Sequence, residues 1–70
     1  MIENIEIFVN GKLELIAAGS SIDDLLKLKV IEPARVVVEV NQTIVKRDKF
    51  DLYQLTGSDK VEILRFVGGG

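Results

Sequence analysis

Residues 5–16 read IEIFVNGKLELI, two alternating runs joined by Asn10-Gly11. Both joining residues tolerate positive φ, which a two-residue hairpin turn of type I′ demands at each central position. The turn commits the start of the chain to an antiparallel pair. On the first strand Ile5, Ile7 and Val9 share one face, and Glu6 and Phe8 the other. A lone hairpin is marginal in water, so the remaining chain must cover its apolar face. It must do so without staples, because the 70 residues include no cysteine and no histidine. That leaves neither a disulfide nor a thiolate or imidazole metal site. A chain of this length makes one domain at most and buries about 60% of its unfolded surface. The 47% hydrophobic content makes a packed core feasible within that limit.

The cover is supplied next. Ser21 is an N-cap candidate, with Asp24 three residues on in the manner of a capping box. Asp23 and Asp24 fall in the first turn and Lys27 and Lys29 near the last, as the helix dipole favours. Ile22, Leu25 and Leu26 form one apolar stripe. Pro33 disfavours helix at Glu32, so the helix ends near Lys29 or Val30. RVVVEV at 35–40 is a third strand, with Val36, Val38 and Val40 on one face and Val37 and Glu39 on the other. Asn41-Gln42 turns into a short strand, 43–45. KRDKFDLYQL follows as a loop with one helical turn, anchored by Phe50, Leu52 or Leu55. TGSD at 56–59 is turn-forming, and VEILRFV at 61–67 is the last strand. One helix on one face of a mixed sheet of four to five strands is an α+β roll. With the first and last strands side by side and parallel, it is the β-grasp arrangement of ubiquitin-like domains. The expected division is a β-grasp domain over 1–67 and a flexible tail over 68–70.

Several function classes recede. A net charge of −2 offers no basic excess for phosphates. No apolar run nears the ~20 residues that span a bilayer, and MIENIEIF lacks the basic start of a signal peptide, so the cytoplasm is the expected compartment. Without histidine or cysteine the chain lacks the commonest general base and the best side-chain nucleophile. No catalytic constellation and no metal site stands out; Asp23 and Asp24 read as helix-end charges. Arg47 and the KRDK cluster read as a solvated basic loop, Asn41 as a turn residue and Tyr53 as a satellite of the core.

The chemistry is concentrated where side chains disappear. Gly68, Gly69 and Gly70 leave one distinctive group, the α-carboxylate of Gly70. Extended, three residues reach about 10 Å, and glycine passes where a Cβ would collide. The tripeptide alone reads equally as a frayed end or as a reactive terminus. Its place directly after a strand of this element order favours the second. A carboxylate must be activated before attack, most naturally as an acyl-adenylate; sulfur then gives a thiocarboxylate and a lysine amine gives a conjugate.

The chain resembles the sulfur carrier proteins of bacterial thiamine biosynthesis. The resemblance runs through Asn10-Gly11 after the opening strand, GSSIDDLL at the helix start, and Val38, Val40, Asn41, Val45 and Arg47 in VEVNQTIVKRD. It closes with DKVEILRFVGGG. The family usually has Gly-Asp before its last strand, whereas Ser58-Asp59 stands here. The resemblance implies that Gly70 is adenylated and converted to a thiocarboxylate, with Gly68 and Gly69 threading into partner sites. The implied partners are an E1-like adenylyltransferase using ATP, a sulfurtransferase or cysteine desulfurase system, and thiazole synthase. The chain would bind no cofactor itself, serve as a cosubstrate and be a monomer alone. Strand parity adds an expected docking patch of Leu64 and Phe66 with Phe8; the competing placement has Phe66 covering the core edge. Three other readings stay open: the small subunit of molybdopterin synthase, a ubiquitin-like modifier and a plain interaction domain.

Overall fold

The computed structural model describes residues 3–66. Its elements are β1 (Asn4–Val9), β2 (Lys12–Ala17), α1 (Ile22–Leu28), β3 (Val36–Val40), β4 (Thr43–Val45) and β5 (Lys60–Arg65). Short 3₁₀ turns cover Pro33–Arg35 and Arg47–Lys49. The strands form one sheet in the order β2-β1-β5-β3-β4. Asn10 and Gly11 hold φ of 49° and 83°, the left-handed pair that the hairpin requires, and set Val9 opposite Lys12 and Phe8 opposite Leu13. The second hairpin repeats the geometry without glycine: Asn41 and Gln42 sit at φ 52° and 70°.

α1 starts on the expected box. Ser21 Oγ accepts from the Asp24 amide (3.0 Å) and Asp24 Oδ2 accepts from the Ser21 amide (2.9 Å). The hydrogen bond from the Ser21 backbone, then that involving its hydroxyl, holds the Asp24 carboxyl below the ordinary aspartate value. At the other end the Val30 amide donates to the Lys27 carbonyl and the Ile31 amide to the Leu26 carbonyl. This is a Schellman closure, whose left-handed position is ordinarily glycine. Here Val30 occupies it at φ 58°, a conformation that costs an L-residue about 1–2 kcal/mol.

β5 lies in the middle and is gripped from both sides. Five residue pairs join it to β3 in antiparallel register, from Val36 with Arg65 to Val40 with Val61. Its parallel pairing with β1 is short, Phe8 with Lys60 and Val9 with Val61. The Asn10 side chain lengthens it: Oδ1 accepts from the Ile63 amide (2.8 Å) and Nδ2 donates to the Ile63 carbonyl (3.3 Å). Asn41 acts likewise where β5 begins, its Oδ1 accepting from the Lys60 amide and its Nδ2 donating to Asp59 Oδ1, each at 3.0 Å. Buried Asp59 also accepts from the Thr56 amide (2.8 Å). Ser58 sits at φ 70° in this turn, so it takes a conformation that glycine would adopt freely.

The core lies between sheet and helix. Ile7, Val9, Val36, Val38, Val40, Val61 and Ile63 meet Ile22, Leu25 and Leu26, with Ile5 partly buried beside them. Phe50 and Leu55 close the end of this layer, while Leu52 is 68% exposed and anchors nothing. The 3₁₀ turn at Pro33–Arg35 removes Arg35 from β3, and β5 begins at Lys60 and ends at Arg65, short of Phe66. Val67, the expected end of that strand, and the tail lie outside the described residues.

Asn10→Gly keeps the turn but strips both bonds to Ile63, so it is expected to cost about 1–3 kcal/mol in urea unfolding. Asp24 bears on pH. Its carboxyl is lowered by folding, so its contribution is present above the unfolded value and is lost as pH falls through the folded one. Asp24→Asn is expected to lower the urea midpoint at neutral pH and to flatten its acid limb.

Candidate functional site

Alternation along β5 sends Val61 and Ile63 into the core and leaves Leu64 48% exposed on the opposite face. Val37 stands directly across from Leu64 on β3. One step back on the same face, Glu62 lies opposite Glu39. Like charges so placed disfavour the pairing and separate Leu64 from the apolar residues of the β1–β2 side. There Phe8 faces Leu13 and Glu6 faces Leu15, with Leu13 and Leu15 55% and 61% exposed. Phe8 is registered with Lys60, four strand positions and roughly 13 Å short of Leu64.

The open face therefore carries two apolar clusters rather than a single one. Leu64 pairs with Val37, and Phe8 with Leu13. Sequence reasoning missed Leu13 and Leu15, although the two-residue turn already dictated their register with β1.

Phe66 falls one residue beyond β5. Its amide donates to the Arg35 carbonyl (3.0 Å), which continues the β3–β5 ladder by one step. With Val30, Ile31, Glu32, Arg35 and Arg65 it borders a surface cavity beside the connection from α1 to β3. It is 64% exposed and lies outside the core cluster and the residues packed against it. Nothing local in the sequence marks this rim, because it joins the end of a helix to the end of a strand more than 30 residues away. Gly68, Gly69 and Gly70 lie outside the described residues.

The remaining candidates have structural roles. Asp23 pairs with Lys27 (3.2 Å) and Asp24 caps the helix. Among the described residues no group of three acidic side chains converges to hold a metal ion. No helix among them is long and apolar enough to cross a membrane. Arg47 and its neighbours are exposed, and Tyr53 packs partly buried against the core.

A five-stranded mixed sheet clasping one helix, with its last strand in the middle, defines a β-grasp domain. The ThiS family model matches residues 3–70, and the chain belongs to that family, the sulfur carriers of thiamine biosynthesis. The sulfur carrier protein ThiS of Bacillus subtilis is 38% identical over 50 residues, covering 71% of this chain and 76% of that one. The crystal structure of the thiamine biosynthesis protein ThiS from Geobacter metallireducens superposes with a TM-score of 0.80 at 36% identity. It spans 94% of this chain and 100% of its own. A thiazole synthase of Magnetococcus marinus is 32% identical over 65 residues, 93% of this chain; the chain spans 20% of that longer protein.

The two faces of β5 are expected to separate in stability. Leu64→Asp and Phe66→Ala should each cost about 1 kcal/mol or less. Ile63→Ala, the neighbour of opposite parity, should cost about 2–5 kcal/mol by urea denaturation.

Proposed function

We propose that the chain carries sulfur on the α-carboxylate of Gly70 and delivers it for thiazole formation. The observation that carries this reading is the central strand β5, followed in the sequence by Phe66-Val67 and then Gly68-Gly69-Gly70, in a chain of the ThiS family. The glycines supply a narrow, side-chain-free lead that lets the carboxyl carbon enter a partner's site while the folded domain stays outside. The described residues carry no histidine or cysteine to activate it, so activation falls to a partner. An E1-like adenylyltransferase joins the carboxylate to ATP as an acyl-adenylate with release of pyrophosphate. Attack by hydrosulfide on the acyl carbon then displaces AMP and leaves the thiocarboxylate. Where a desulfurase system presents the sulfur as a persulfide, a further thiol takes the second sulfur as a disulfide. The thiocarboxylate is the nucleophile that thiazole synthase consumes, which makes the chain a cosubstrate rather than a catalyst, acting in the cytoplasm.

Leu64 and Phe66, at the last described positions before the tail, dock the partners, with Val37 enlarging the apolar contact. Phe8 belongs to a separate cluster with Leu13 and contributes less. The thiazole synthase whose own chain includes a matching segment supports the choice of acceptor.

Intact-mass spectrometry after incubation with ATP, the cognate adenylyltransferase and a sulfur source should show a gain equal to exchanging one oxygen for sulfur. No change, or a ladder of lysine conjugates, would overturn the reading. Deleting Gly70 should abolish the gain. Leu64→Asp should slow loading about 10-fold or more while the circular dichroism spectrum stays native; unaltered loading would remove Leu64 from the docking surface.

A further inference from the structure

Val30 is held against its own preference. Its φ of 58° lies in the left-handed region, where a β-branched residue is an outlier. Glycine or asparagine at this position would make the same two backbone bonds to the end of α1. The valine side chain gains nothing inside the fold in exchange, for it is 90% exposed and lies outside the core cluster. Strain of this kind clusters at binding and switch sites, which marks the residue as a candidate for a use outside folding.

Its position says what that use is. With Gly70 taken as the reacting end, as proposed above, it lies four chain positions beyond Phe66. Fully extended, those positions span about 13–14 Å. A reacting centre recessed within a partner by much of that length brings the partner's surface onto the residues around Phe66. Val30 stands in that rim, next to Ile31, Arg35 and Arg65. Arg35 is engaged by Glu32 at 3.1 Å, whereas Arg65 has no ion pair among the described residues. The rim thus offers an apolar knob beside a free cation.

We infer that Val30 seats this rim on thiazole synthase, in an apolar depression at the mouth of the channel that admits the tail, with Arg65 facing a carboxylate there. Thiazole synthase is the partner of choice because two such enzymes, from Magnetococcus marinus and Paramagnetospirillum magneticum, contain a segment matching 93% of this chain. In them the carrier-like segment and the enzyme share one polypeptide.

The test compares Val30→Gly and Val30→Asn with the wild-type chain, using purified thiazole synthase in titration calorimetry and the adenylyltransferase loading assay alongside. Val30→Gly should raise Tm by about 3–6 °C as strain is released, net of the flexibility glycine adds to the unfolded chain. The same variant should bind thiazole synthase about 10-fold more weakly, the loss expected for one buried aliphatic side chain. Val30→Asn, also at home in the left-handed region but polar, should bind as weakly as Val30→Gly. Loading by the adenylyltransferase should stay within about 2-fold of wild type, an interval narrow against the 10-fold binding loss. Wild-type affinity in either variant overturns the assignment. So does an unchanged Tm in Val30→Gly, or a defect confined to loading, which would place the contact on the adenylyltransferase instead. A wild-type chain that neither gains sulfur nor binds thiazole synthase would point instead to failure of the Gly70 reading itself.

Discussion

The insertion of β5 between β1 and β3 is the constraint on which the rest of the molecule depends. It joins segments some 53 residues apart, and closing so long a loop is entropically unfavourable until burial compensates. Compensation comes from Val61 and Ile63, which enter the core on the helix side, and from the five-pair ladder to β3. The parallel contact with β1 is only two pairs long. Asn10 extends it by presenting both an acceptor and a donor to Ile63, so one side chain stands in for a further strand residue. The residue that makes the first turn is therefore also the one that secures the last described strand.

Under the proposed function, that placement sets where the carrier tail begins. β5 is held by β1 and the Asn10 side chain as far as Ile63 and by β3 alone through Arg65, and the Arg35 carbonyl holds Phe66 one step further. A terminus leaving an edge strand would have a less defined origin. Here the departure point is surrounded by Leu64 and Val37 on the open face and by Val30, Arg35 and Arg65 on the helix side. The glutamate pair Glu39–Glu62 then keeps the exit cluster apart from Phe8 and Leu13. It also discourages the open face from acting as one continuous sticky surface.

Much of this was legible in the residues. The Asn10-Gly11 turn, the Ser21–Asp24 box and the parity of Val36, Val38 and Val40 each follow from local rules, and each appears where those rules put it. The boundaries that moved did so for local competition of another kind. Pro33 directed Arg35 into a 3₁₀ turn instead of a strand, and Leu52 pointed outward because Phe50 and Leu55 already filled the space under the loop. Ser58 takes a glycine-like φ in the turn before β5, where Asp59 bonds Thr56 and Asn41. The candidate site was legible in part. Leu64 and Phe66 could be placed near the exit from parity and position, but their separation from Phe8 could not.

The amino-acid sequence by itself determined the element order, the face on which each strand buries its side chains, the helix cap, and the family to which the chain belongs, since all of these rest on neighbours within a few residues or on a linear motif. Tertiary structure alone decided that Asn10 bonds Ile63, that like-charged glutamates divide the open face, and that strained Val30 stands beside the exit of β5. Those relations depend on distances between segments far apart along the chain, which are set by strand register and helix packing and leave no periodicity to read.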